Sequence, residues 1–365
     1  MDSLTQIVLG AAVAAAIAPP AHRRAALLAG AALGTLPDLD SLLLLPLTHD
    51  PVTMMTVHRS FSHSLLVLPL VGWLIWWLFR RSGRGRVAEA PARWFWAIQL
   101  ALITHPLLDA FTVYGTQLWW PFRPHPTMWS SVFIIDPLYT VWLALACVIA
   151  WFARAQPLAQ RALVLGLVLS SAYLGWSLWA KHLVDREADR TLTAMGLGNA
   201  PRFSVPSPFN TLLWRVVAMT PSGYVIGERS LIADRGAMHF DGFPSQVQAL
   251  AETEDLPAVQ RLQWFNRGFM RAQVVDGELV LSDLRMGIEP EYNFNFAVAR
   301  QGAQGRWQPI EPRQLQAAYR APVARGQLRA ALARMWWRIW HEPVASYGDP
   351  VDPGATIDAR GAVRQ

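Results

Sequence analysis

The first half of the chain is a series of apolar stretches separated by short polar connections. Two early stretches, at residues 7–18 and 25–36, are rich in alanine and glycine. Because small residues let helix backbones approach closely, these two are predicted to form a tight helical pair or a partly re-entrant one. Membrane spans need roughly 20 residues, a length that some of the later stretches do not reach. The later stretches, predicted to be spans, are residues 64–79, 94–108, 132–152 and 162–180.

From about residue 185 the pattern changes to short alternating runs typical of strands. Asp276 and Gly277 lie between two such runs and predict a tight hairpin, since both positions of that turn need positive φ. A second strand, turn, strand unit is predicted around Pro221–Gly223. Helical patterns occur near residues 245–254 and, in a longer amphipathic segment, near 313–340.

These patterns predict two domains of different fold class in one chain. We expect a multi-pass α-helical membrane bundle of about six helices, followed by an α+β domain rich in antiparallel strands. The predicted boundaries are 1–181 for the membrane domain and 182–342 for the second domain. The final segment, 343–365, is rich in Pro, Gly and Asp and is predicted to be a flexible tail.

Composition supports a membrane protein. Of the 365 residues, 53% are hydrophobic, only 16% are charged and 18 are tryptophans, which is too apolar for an ordinary soluble enzyme. The net charge of +6 does not predict a nucleic-acid partner, because many arginines lie in the connections between apolar stretches, where they set membrane orientation. The single cysteine, Cys147, excludes a disulfide within the chain.

Placing the arginine-rich connections in the cytoplasm gives six crossings and puts the second domain outside. That threading brings several acids and imidazoles to the same outer face, at the ends of different apolar stretches. Charge near a hydrocarbon segment is unfavourable, by about 2.5–3.5 kcal/mol for Asp at a helix centre, so such residues usually face a partner or a cavity. The residues are Asp38, Asp40, His58, His63, His105, Asp109 and Asp136.

A divalent metal would neutralise acids crowded at this boundary. His105 and Asp109 are four residues apart, so on a helix both side chains point the same way. Asp38 and Asp40 follow a helix break at Pro37 that could turn both toward one centre. Imidazole and carboxylate donors without thiolate favour Zn²⁺, with Mn²⁺ or Fe²⁺ as alternatives.

Simpler explanations exist for each residue taken alone. Asp40 could cap the next helix, and Asp136, which precedes Pro137, is equally suited to capping and to metal ligation. A single histidine such as His105 in an apolar stretch is more often a hydrogen-bonded core residue. Arg59 could clamp a phosphate or contact a lipid headgroup. The metal hypothesis is favoured because it explains four separate helix ends on one face.

Several motifs, in this order, resemble a known family. They are "MDSLTQIVLGAAV", "GTLPDLDSL", "HRSFSHSLL", "HPLLDAFTVYGTQLWWPF" and "FIIDPLYT", and the likeness continues through "SPFNTLLWRVVAMTPSGYVIGERSL". Together they resemble the YdjM-like inner-membrane metal-dependent hydrolases of bacteria. The resemblance implies distant kinship with the helical zinc-dependent phospholipase C and nuclease group. It also implies metal ligation by Asp38, Asp40, His58, His63, His105 and Asp109.

This chain departs from the family pattern at one place. Many relatives read "THAL" where this chain has Thr5, Gln6 and Ile7, so an amide replaces an imidazole. Gln6 can offer a neutral oxygen only.

The leading functional prediction is a hydrolase of the bacterial inner membrane, with membrane lipid around it and a phosphoester or lipid as substrate. An uncoordinated carboxylate, Asp40 or Asp136, would act as general base. The second domain would lie in the periplasm. The alternative is a non-enzymatic membrane protein in which a metal holds the bundle together while the strand-rich domain binds a partner.

Overall fold

A computed structural model describes residues 1–46, 48–315, 324–343, 356–357 and 363–364. The chain divides into two compact units. The first comprises Met1–His49, Thr53–Leu178 and Pro208–Asn210, and the second comprises Asp50–Val52, Trp179–Ser207 and Thr211–Gln365. Most of the predicted tail, residues 343–365, lies outside the described residues.

The N-terminal part of the chain is helical. Short 3₁₀ turns at Pro20–His22, Leu36–Leu39 and Phe61–His63 interrupt the helices. The helices are α1 (Ser3–Ile17), α2 (Arg23–Thr35), α3 (Asp40–Leu44), α4 (Pro51–Val57), α5 (Leu68–Arg81), α6 (Arg86–Glu89), α7 (Pro91–Ala110), α8 (Pro137–Ala153) and α9 (Pro157–Ala194).

Helices α1 and α2 pack at backbone contact through three glycines. A Cβ atom at Gly30 would lie 2.2 Å from the carbonyl oxygen of Gly10, and one at Gly34 would lie 2.4 Å from the carbonyl oxygen of Gln6. These separations leave no room for a side chain. The predicted tight helical pair is therefore present, and its small residues are what allow it to form.

The predicted count of six spans is not supported. Among the described residues, only Pro20–Leu44 and Pro157–Ala194 are long and apolar enough to cross a membrane as helices. A third span results if Pro51–His63 and Leu68–Arg81, which meet at a 55° bend, are counted as one. Helix α1 has 15 residues and α8 has 17, so each is shorter than the roughly 30 Å hydrocarbon core at 1.5 Å per residue.

The second half of the chain is rich in antiparallel strands, as predicted. One sheet has the order β1-β2-β3-β4 and the other β10-β9-β6-β5. The strands of the first sheet are β1 (Arg202–Pro206), β2 (Leu213–Thr220), β3 (Gly223–Ser230) and β4 (Phe240–Pro244). Those of the second are β5 (Met270–Val275), β6 (Glu278–Asp283), β9 (Asn295–Gln301) and β10 (Trp307–Leu315).

Smaller elements complete this part of the chain. Two further strand pairs are each two residues long, and the helices of the region are short except for the last. They are β7 (Gly287–Ile288) with β8 (Glu291–Tyr292), β11 (Thr356–Ile357) with β12 (Val363–Arg364), and the helices α10 (Val247–Ala251), α11 (Pro257–Asn266) and α12 (Ala324–Trp340).

Both predicted hairpins are present, and one helix prediction is partly wrong. Asp276 and Gly277 have φ values of 51° and 76° and join β5 to β6. Thr220 pairs with Gly223 at the turn between β2 and β3. The amphipathic segment predicted as a helix over 313–340 begins as strand β10, which pairs with β9 as far as Leu315. Cross-strand pairing thus outweighs the local helical pattern there, and α12 begins at Ala324.

Replacement of Gly30 by alanine tests the close contact between α1 and α2. We expect Gly30→Ala to lower the free energy of unfolding by about 1–3 kcal/mol, because overpacking forces the two backbones apart. Gly175 in α9 is the matched control, since a Cβ atom there meets nothing within 4 Å. Thermal unfolding in detergent should show a lowered midpoint for Gly30→Ala only, and equal behaviour of the two variants would contradict the packing account.

Candidate metal centre

Four side chains from three segments meet at one point in the first unit. Asp38 lies in the 3₁₀ turn Leu36–Leu39 that follows α2, and His63 ends the 3₁₀ turn Phe61–His63. His105 and Asp109 lie one helical turn apart on α7. One ligand atom from each of the four residues lies within 4.8 Å of the other three. Helix breaks at Pro37 and before α5 bring the two turns against α7.

The separations between these atoms are short and nearly equal. The Nε2 atoms of His63 and His105 are 3.1 Å apart. Each Nε2 lies 3.4 Å from Oδ1 of Asp38. Oδ2 of Asp109 is 3.2 Å from Nε2 of His63 and 3.5 Å from Nε2 of His105. Five of the six edges of a tetrahedron of donors therefore measure 3.1–3.5 Å.

The hydrogen bonds of the two Nδ1 atoms indicate which nitrogen of each imidazole carries the proton. Nδ1 of His105 is 2.6 Å from the carbonyl oxygen of Gly34, which can only accept, so Nδ1 carries the proton. Nδ1 of His63 is 2.9 Å from Oγ of Ser62. That hydroxyl donates its own proton to Oδ2 of Asp40 over 2.6 Å, so it accepts from His63. When the rings are neutral, these tautomers direct both Nε2 lone pairs into the cluster.

Such a group of acceptors fits a small divalent cation. Nitrogen and oxygen ligands about 2.0–2.1 Å from a tetrahedral ion lie roughly 3.3–3.4 Å from one another, which matches the observed edges. Oδ2 of Asp109 is buried and makes no hydrogen bond within the described part of the chain, although Nε of Arg59 lies 3.3 Å from it. Asp109 is also contacted by two positive groups, Nε of Arg59 at 3.3 Å and the amino group of Met1. The cluster could therefore bind a metal ion.

Asp40 and His58 lie beside this group of four and contact each other. Oδ1 of Asp40 is 2.8 Å from Nδ1 of His58, and Oδ2 accepts from the backbone N–H of Arg59 as well as from Ser62. Through Ser62, Asp40 orients the ring of His63, a common arrangement around metal sites. The cluster does not include Asp40 or His58, and ligation by these two residues stays a prediction.

Arg59 is buried and held in a strained backbone conformation. Its φ is +63°, in the left-handed region that non-glycine residues rarely adopt. The guanidinium lies 4.8 Å from the centre of the Tyr114 ring, 3.3 Å from Oγ1 of Thr112 and against Asp109. These contacts fix the loop that carries His58 and His63.

Asp136 serves as the N-cap of α8. Oδ1 accepts from the backbone N–H groups of Leu138 and Tyr139, and Oδ2 accepts from the hydroxyl of Tyr173. Both oxygens are thus engaged, and Oδ1 has the capping role that was one of the two alternatives the sequence left open. A catalytic role for Asp136 stays a prediction.

Gln6, the residue at the departure from the family pattern, reaches the cluster from α1. Its Nε2 donates to Oδ1 of Asp109 at 3.1 Å and to the carbonyl oxygen of His105. Its Oε1 is buried without a hydrogen-bond partner. Gln6 therefore contacts one member of the cluster directly.

Two functional groups were missed by sequence reasoning. Ser62 links Asp40 to His63, and the Gly34 carbonyl fixes His105. Ser62 stands inside the motif "HRSFSHSLL", so its position next to His63 was a usable signal. A backbone carbonyl leaves no signal in a sequence.

The fold and the site define a helical membrane protein with a buried His/Asp cluster. A family model described as YdjM inner membrane protein matches residues 1–184. The chain therefore belongs to the YdjM inner membrane protein family. It is similar to the "Uncharacterized protein YfhP" of Bacillus subtilis (strain 168), with 25% identity over 244 residues that cover 62% of this chain and 68% of that protein. No solved structure matches the chain.

Removal of the Ser62 hydroxyl tests the orientation of His63. We expect Ser62→Ala to lower the affinity for a divalent metal about 10- to 100-fold, because groups that orient a ligand have effects of this size. Ser82→Ala is the control, since among the described residues the Ser82 hydroxyl contacts only the nearby backbone groups of Phe79 and Arg84. Competition with a fluorescent chelator measures both affinities, and an unchanged affinity for Ser62→Ala would refute the assigned tautomer.

Proposed function

We propose that the protein is a metal-dependent hydrolase of the bacterial inner membrane that cleaves a phosphoester. Asp38, His63, His105 and Asp109 would hold the ion, and Zn²⁺ is favoured because the donors are imidazole and carboxylate in a tetrahedral arrangement. The observation that carries the proposal is the convergence of two imidazole lone pairs and two carboxylate oxygens with edges of 3.1–3.5 Å.

A divalent ion in such a site lowers the pKa of water towards about 7 and polarises the bond to be cleaved. The protein would hold the four donor atoms in position and place a positive charge beside them. The helical spacing of His105 and Asp109 fixes one pair of donors, and the two 3₁₀ turns supply the other pair. Arg59 keeps Asp109 ionised and in place.

Asp40 and His58 are proposed to handle the proton of the reaction. The Asp40 carboxylate holds Nδ1 of His58, which leaves Nε2 as the exchangeable position of a ring that is partly exposed. The pair lies next to the cluster, with the His58 and His63 ring centres 5.8 Å apart. In this proposal His58 takes the proton and Asp40 positions its ring, which differs from the expected role of Asp40 as the general base itself. The guanidinium of Arg59 already contacts Asp109, Thr112 and Tyr114, so we do not propose that it binds an anionic substrate.

Two further parts of the proposal concern bond type and location. A phosphoester is chosen because an anionic oxygen is a good ligand for a divalent ion and because of the resemblance to the zinc-dependent phospholipase C and nuclease group. The arginines between the apolar stretches favour a cytoplasmic location for those connections. We therefore propose that the cluster lies at the outer face and that the strand-rich domain lies in the periplasm.

The rival function is a structural metal that joins the helical segments. Four protein ligands fill a tetrahedral site, a pattern typical of structural zinc, whereas catalytic sites keep one position open. We favour catalysis because the ring of His58, held by Asp40, is partly exposed beside the cluster and could take a proton there. Asp38 is the one ligand with an exposed side chain, at 23%, and is the candidate for the open side.

Replacement of His105 by alanine separates the two functions. We expect His105→Ala to lose near-stoichiometric zinc, measured by elemental analysis of detergent-purified protein, and to reduce hydrolysis of a phosphodiester panel by at least about 100-fold. The fold should persist in large part, since α1, α2 and α7 keep their contacts. His239→Ala, an exposed histidine of the second unit, is the control.

The outcomes of this experiment differ between the functions. Wild-type protein that holds zinc but hydrolyses neither phospholipids nor soluble phosphoesters, together with a large loss of thermal stability in His105→Ala, would support the structural metal and refute the enzyme. Retention of zinc by His105→Ala would refute the site itself.

A further inference from the structure

Three of the four cluster side chains are fully buried, and the fourth is partly exposed. The side chains of His63, His105 and Asp109 are fully buried, whereas those of Asp38 and His58 are 23% and 25% exposed. Asp38 is thus the one partly exposed residue of the four, and we expect a substrate to approach along the segment that carries it.

That segment is bordered by exposed leucines, which we term the leucine rim. Leu42, Leu43 and Leu45 are 62%, 61% and 53% exposed, and Leu36 and Leu39 on either side of Asp38 are also exposed. Asp40 is the only charged residue between Leu39 and Thr48, and it is buried. The rim consists of Leu36, Leu39, Leu42, Leu43 and Leu45.

Four of the five rim leucines belong to a candidate membrane span, and Leu45 directly follows it. Pro20–Leu44 is apolar enough to cross a bilayer, and Asp38 lies six residues before its end. Leucines exposed on a short helix such as α3 are stable in hydrocarbon and unfavourable in water. We therefore expect the Asp38 side of the cluster to lie near the edge of the hydrocarbon layer, at the depth where a lipid headgroup joins its acyl chains.

We propose that the substrate is a phospholipid that approaches sideways from the bilayer over the leucine rim. This inference rests on the proposed function and specifies its substrate class. The acyl chains would lie against the rim, and the phosphate would reach the four donors past Asp38. In the reaction, the oxygen of water bonds to phosphorus, the P–O bond to one alcohol breaks, and a proton passes to the leaving oxygen.

A pair of substrates and a pair of variants test this proposal. The substrates are vesicles of phosphatidylethanolamine and phosphatidylglycerol, and the water-soluble bis(4-nitrophenyl) phosphate. The rim variant is Leu42→Gln with Leu43→Gln. Its control is Leu145→Gln with Leu165→Gln on α8 and α9, which are similarly exposed apolar positions of other helices.

We expect the wild type to hydrolyse vesicle phospholipid. We also expect the rim variant to lower vesicle hydrolysis about tenfold more than it lowers hydrolysis of the soluble diester, because only the lipid uses the rim for binding. The control should change both rates equally. Equal losses on the two substrates in the rim variant, or a wild type that cleaves only the soluble diester, would overturn the phospholipid proposal while leaving the hydrolase intact.

A second readout does not depend on turnover. A phospholipid with a photoactivatable group next to the phosphate should crosslink to the peptide that contains residues 36–45 more than to peptides of α8. If neither substrate is hydrolysed, the proposed function fails, and the crosslink alone then decides the lipid contact. Crosslinking that is no greater at 36–45 than at α8 overturns it.

Discussion

Two imidazole lone pairs and two carboxylate oxygens face one another in a buried space, and the rest of the first unit keeps them there. Acceptors without a shared proton repel, and in a low-dielectric site that repulsion is strong. Gly34 connects the helix packing to the cluster, since the residue whose missing side chain lets α1 approach α2 also offers its carbonyl to His105. Close packing and site geometry thus depend on the same position.

The sequence predicted some of this arrangement and missed other parts for physical reasons. The spacing of His105 and Asp109 indicated one helical face, and the helix break at Pro37 indicated a turn at Asp38. The difference between a ligand and the residue that orients a ligand was not readable, because it depends on the conformation of the turn at Arg59 and on the Ser62 hydroxyl. Hydropathy also overcounted the spans, because an apolar stretch can form a helix such as α1 that is too short to cross a membrane.

Membership of the YdjM inner membrane protein family agrees with the apolar helices and places the cluster in a membrane context. In that context a polar site is tolerated only when its groups satisfy one another or a bound ion. The hydrogen bonds that join His63 to Ser62 and Ser62 to Asp40 satisfy the polar groups on one side of the cluster. The hydrogen bond from His105 to the Gly34 carbonyl satisfies those on the other side. Asp38 is the member of the cluster whose side chain is partly exposed.

X-ray absorption at the zinc edge of the purified, zinc-loaded protein tests the central claim most directly. The account predicts a four-coordinate ion with two imidazole nitrogens and oxygen ligands at about 2.0–2.1 Å. A spectrum without imidazole scattering, or an ion surrounded by oxygen alone, would show that His63 and His105 do not share a metal and would contradict the account.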